Sequence, residues 1–140
     1  MTSFTNPDDD RLRALFKQPL SIAVIGLSPK PARPSSRVAR AMQQAGHTII
    51  PVRPAVSEVL GEKAHARLLD LPDLPDIVNV FRAPEYVDDI VDSCIALGCK
   101  VLWLQEGVIN LTAAQCAQAA GMLVIMDKCL IKEYRRLAPS

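Results

Sequence analysis

Short apolar runs alternate along the chain with stretches whose apolar residues return every third or fourth position. Residues 20–25, with Ile22, Val24 and Ile25, end at Gly26 and read as a strand buried on both faces of a parallel sheet. Residues 47–52, 76–81, 100–104 and 122–126 repeat that pattern. Between the first two runs, Val38, Ala41, Met42 and Ala45 fall at i, i+3, i+4 and i+7, one apolar helix face that Gly46 ends. Val87, Ile90, Val91, Cys94 and Leu97 form a second such face, opened by Pro84 and closed by Gly98. An Ala-rich helix is expected over residues 112–120 and a last helix over 129–137. A short helix over 8–16 carries Asp8, Asp9 and Asp10 at its positive end, and Pro19 stops it. Residues 53–75 are the least regular; a short strand near Leu68 and Leu69 and one helical turn are expected there.

Strands alternating with amphipathic helices at this spacing are βαβ units. They predict an α/β fold with one doubly wound, Rossmann-like parallel sheet of about five strands flanked by helices. No internal repeat, low-complexity tract or long linker divides the 140 residues. One domain is therefore expected over 1–140, with an N-terminal helix and lead-in at 1–18 and a nucleotide-binding core at 19–137.

Composition narrows the partners. Sixteen Lys+Arg against fifteen Asp+Glu give a net charge of +1, without the basic excess of a nucleic-acid binder. The apolar runs fall far short of the roughly 20 residues that span a membrane. The acidic N-terminus lacks the basic and apolar regions of a signal peptide, so a cytoplasmic location is expected. Cys94, Cys99, Cys116 and Cys129 form no C-x-x-C pair and lie far from His47 and His65, which argues against a zinc site. A chain of this length needs no disulfide framework, so reduced, mostly buried thiols are expected.

In open α/β sheets, ligands bind beyond the carboxyl ends of the strands, where the strand order reverses. That rule selects the loops at residues 26–37, 53–55, 81–82, 105–107 and 127–129. The first lacks the G-x-G-x-x-G of a dinucleotide site. It offers instead the hydroxyls of Ser28 and Ser35, the cations Lys30, Arg33 and Arg37, and a helix N-terminus that Ser35 or Ser36 is expected to cap. Those are anion-binding parts. At the end of the second strand Arg53 stands where an NAD domain usually carries an acid, which favours a ribose phosphate, 2′ in NADP or 3′ in coenzyme A.

No catalytic constellation stands out. No G-x-S-x-G elbow, P-loop or H-E-x-x-H is present, and Glu62, Glu106 and Asp127 have no paired titrating group. His47 and His65 read as structural or exposed, and Phe81 and Trp103 as core or pocket wall. Cys129, at a helix N-terminus, is either a reactive thiol or a small packed residue. Arg135, in the last helix, is expected to lie outside the site. A binding module, an NADP-type sensor or oxidoreductase fragment, and a partner-binding subunit with a vestigial ligand loop all remain compatible with these residues. The first and last helices, with Tyr134 and Leu137, pack on their own domain or on a second copy, which leaves a homodimer or another protein partner open.

The run from Val24 to Ser35 resembles the small, free-standing coenzyme A-binding proteins, which are similar to the nucleotide-binding domain of the succinyl-CoA synthetase α subunit. The resemblance continues through Pro51 to Pro54, Leu60 to Glu62, Asp76 to Arg82, Trp103 to Asn110 and Asp127 to Leu130, and so spans most of the chain. It implies non-catalytic binding of coenzyme A or an acyl-CoA. Gly26, Ser28, Pro29, Lys30, Arg33 and Ser35 would lie around its phosphates and Arg53 near its adenosine. Phe81, Arg82 and the turn at Gly107 would border the nucleotide or the pantetheine arm. The small family more often has Asn at the position of Arg53 and Arg at that of Lys128. The synthetase also carries a second domain with a phosphorylated histidine, which is not expected here.

Overall fold

The computed structural model describes residues 3–138; residues 1–2 and 139–140, the ends of the expected domain, lie outside the described residues. The apolar runs become five parallel strands: β1 (Ser21–Ile25), β2 (Thr48–Val52), β5 (Ile77–Val80), β6 (Val101–Leu104) and β7 (Leu123–Met126). Their order across the sheet is β2-β1-β5-β6-β7. The chain thus moves outward from β1 to β2, then returns to the other side of β1. The reversal opens a crevice at the carboxyl ends of β1 and β5.

Helices cover both faces, as a sheet of parallel strands requires. On one face α1 (Asp9–Leu15), α2 (Pro34–Gln44) and α5 (Leu130–Leu137) pack over Ile22, Val24, Ile77 and the fully buried Trp103. On the other, α3 (Val87–Leu97) and α4 (Leu111–Ala119) cover Ala23, Ile25, Val78 and Leu102. Successive residues of β1 thus feed opposite halves of the core, the period-two geometry of a strand. The result is a Rossmann-like α/β/α sandwich. Gly98 ends α3 in the left-handed conformation, with its N–H and that of Cys99 bonded back to Ile95 and Cys94. Cys94, Cys99 and Cys129 are buried, and Cys116 is exposed.

The irregular stretch differs from its expected form. Glu58–Val59 (β3) and Glu62–Lys63 (β4) make a small antiparallel hairpin turned by Leu60 and Gly61, both with positive φ. His65 then bridges to the edge strand β2, its N–H donating to the Pro51 carbonyl. Leu68 and Leu69 lie in a single 3-10 turn rather than a strand. At the opposite edge the Asn6 side chain pairs with Met126 in both directions, at 2.8 and 3.0 Å.

His47 has a structural role. Its buried Nδ1 accepts the Leu20 N–H at 3.0 Å, and its ring meets Tyr134 at right angles, 4.8 Å between centroids. Burial holds its pKa below the ordinary histidine value.

Candidate functional site

The site begins at Gly26, whose φ of +85° turns the chain out of β1. Its carbonyl accepts from the Arg53 guanidinium at 3.3 Å, so the ends of β1 and β2 are linked beside the crevice. The loop that follows is fixed from within. The buried Ser35 hydroxyl accepts the Ser28 N–H at 3.0 Å, and the Ser28 hydroxyl accepts the Lys30 N–H at 3.1 Å.

This is a different use of Ser35 from the expected one. Arg33 occupies the position before α2, with no capping hydrogen bond from its side chain, and Pro34 is the first helical residue. Proline's fixed φ suits that position, so α2 starts earlier than a serine cap implies, and Ser35 and Ser36 turn inward. Neither serine caps the helix. The first-turn N–H groups of α2 are therefore left without a side-chain cap, at the positive end of the helix dipole.

Gly26, Ser28, Pro29, Lys30, Arg33, Ser35, Arg53 and Phe81 together line one cavity of about 450 Å³, with Pro34. Its walls carry three cations and no carboxylate. A second cavity of about 500 Å³ shares Gly26 and Arg53 with the first and extends over Val52, Leu68 and Ile90. Arg82 lies there, its guanidinium 4.0 Å above the Tyr86 ring. A third cavity of about 780 Å³ shares Pro34 and Phe81 with the first and runs between α2, the turn after β6 and α5.

Gly107 lines none of these three cavities; its N–H donates to the Asp127 carboxylate at 2.8 Å and ties the loops after β6 and β7 together. Arg135, expected outside the site, stands on the wall of the third cavity with Arg37, Cys129 and Lys132. Helix α5 lies against α2, which brings a late helix beside the loop that follows β1. Sequence reasoning also missed Arg67, Tyr86 and Asp89 in the second cavity and Gln105 as a wall of the third. Only the strand-end position of Gln105 carried a signal, since its loop was among those selected. Among the described residues no group of three or more His, Cys, Asp or Glu side chains is placed to hold a metal, and no helix is long and apolar enough to cross a membrane.

Three neighbouring cavities around a cationic loop can accommodate an elongated, multiply charged ligand better than a compact one. The sequence profile of the CoA binding domain family matches residues 20–135. The uncharacterized protein YneT of Bacillus subtilis (strain 168) is 39% identical over 125 residues, 89% of this chain and 93% of that protein. An ADP-forming acetate–CoA ligase II of Archaeoglobus fulgidus is 32% identical over 99 residues, 69% of this chain but 14% of the ligase. The structure of cell-free ID.343 from Thermus thermophilus superposes with a TM-score of 0.89 at 37% identity, covering 94% of this chain and 99% of that one.

Proposed function

This chain belongs to the CoA binding domain family, and from that membership we propose that it binds coenzyme A or an acyl-CoA as a single, non-catalytic domain in the cytoplasm. The observation that carries the proposal is the shared walls of the three cavities, with the one that has cations and no carboxylate in the middle. Coenzyme A has the same order of parts. Its pyrophosphate would lie at Lys30, Arg33 and the N-terminus of α2, where N–H groups and cations converge. The adenosine would occupy the cavity of Arg82 and Tyr86, with Arg53 between the two halves. The pantetheine arm would cross Phe81 into the third cavity.

Calorimetry with coenzyme A, dephospho-coenzyme A, NADP and NAD tests the proposal. Coenzyme A is expected to bind tighter than dephospho-coenzyme A by about 1.5–3 kcal/mol, the size of one charge-assisted contact to its 3′-phosphate. Equal affinities for the two, or tighter binding of NAD or NADP, would sink it. Hydrolysis of acetyl-CoA well above the buffer rate by the purified chain would remove the non-catalytic part.

A further inference from the structure

The third cavity carries more information than the passage of a pantetheine arm requires. Gln105 lines it and is 6% exposed. Its Oε1 accepts from the Leu130 N–H at 3.3 Å and from the Asn79 amide at 3.2 Å, which fixes the orientation of the group. Its Nε2 has no protein partner among the described residues and is not sealed from solvent, so a donor stands ready on the cavity wall. Three cations share that wall, Arg37, Lys132 and Arg135, against the single acid Glu106. Glu106 is already paired with Lys132 at 3.2 Å. Arg37 and Arg135 make no ion pair among the described residues. The rest of the wall is apolar, with Val38, Val108 and Ile131.

We propose that this cavity takes the acyl end of an acyl-CoA whose acyl group terminates in a carboxylate. The inference rests on the coenzyme A reading of the neighbouring cavities. The apolar wall covers the methylenes, the Gln105 amide donates to a carbonyl of the arm, and Arg37 and Arg135 receive the carboxylate. An uncharged acyl group of equal length fills the same space but makes no ionic contact with either exposed guanidinium group, so the carboxylated one is favoured.

Calorimetry with two isosteric pairs, succinyl-CoA against butyryl-CoA and glutaryl-CoA against pentanoyl-CoA, tests this at two chain lengths. The carboxylated member of at least one pair is expected to bind about tenfold tighter, a preference that shrinks with added salt. In the Arg37→Ala/Arg135→Ala double variant the ratio is expected to fall toward one. Gln105→Glu keeps the oxygen held by Asn79 and Leu130 but turns the donor into an acceptor, and is expected to weaken the carboxylated thioesters most. Ratios near one for both pairs in the parent, with coenzyme A itself still bound, overturn this inference and leave the coenzyme A reading standing. A preference that survives the double variant overturns it as well. Failure of the parent to bind coenzyme A at all overturns both.

Discussion

The Gly26 backbone lies so close to Phe81 that a Cβ at position 26 would sit 2.5 Å from the Phe81 carbonyl oxygen. These two residues directly follow β1 and β5, the strands that flank the reversal of strand order, so their contact sets the width of the crevice. Gly26→Ala combines that clash with a φ of +85°, a conformation that costs an L side chain about 1–2 kcal/mol by itself. The variant is expected to unfold at distinctly lower urea concentration and to lose coenzyme A binding. An unchanged midpoint would show that the two strand ends yield without strain.

Lys30 and Arg33 are exposed and make no ion pair among the described residues. Replacing either with alanine is expected to change stability by less than about 0.5 kcal/mol. Coenzyme A affinity is expected to fall by about tenfold for each, with a shallower salt dependence in what remains. Lys100→Ala, at the opposite end of the sheet, is the control expected to bind like the parent. Full affinity in the folded loop variants moves the phosphates elsewhere.

Ser35→Ala removes the acceptor of the buried Ser28 N–H. An unsatisfied buried donor costs about 1–3 kcal/mol. Unlike the cation variants, this one is expected to lower both the melting temperature and the affinity, because the loop loses its internal tie. A normal melting temperature would mean that water replaces the hydroxyl.

His47 predicts a pH dependence of stability. Burial lowers its pKa in the folded chain below the ordinary 6.5, so between those two values the unfolded chain binds more protons. Its contribution is complete above 6.5 and declines as pH falls through the folded value. Urea midpoints are expected to drop from about pH 7 to about pH 5, and His47→Ala is expected to be less stable and flatter over that window. Asp9 acts lower on the scale. The Arg136 guanidinium holds its carboxyl below 3.8, so that contribution is lost only as pH falls beneath the ordinary carboxylate range. Parallel pH profiles for parent and His47→Ala would exclude His47 as the source of the slope.

What the sequence made legible follows from how local each signal is. The five sheet strands and the end of α3 at Gly98 depend on short apolar runs and one glycine, and they form where those signals lie. Eight of the ten expected site residues converge on one cavity, because a βα loop stays beside its own strand end. Arg82 and Gly107 do not, because which way a side chain or turn faces at a strand end depends on its neighbours. The role of Ser35 was obscured by Pro34, which supplies a helix start of its own. The β3–β4 hairpin is too short for a period, and its Leu60 turn residue carries no turn signature. Arg135 reaches the site only because α5 packs on α2, a contact between distant parts of the chain.

The Asn6 amide takes both the N–H and the C=O that Met126 turns outward from β7, as a neighbouring strand would. The other edge strand is occupied by the His65 bridge. With both flanks of the sheet engaged, strand-to-strand recruitment of another chain is discouraged at either side. Self-association or a partner would have to work through helix surfaces or the crevice mouth, where a bound ligand could itself form part of the contact. Truncation before residue 7 would uncover one flank and turn a self-contained sheet into one open to extension.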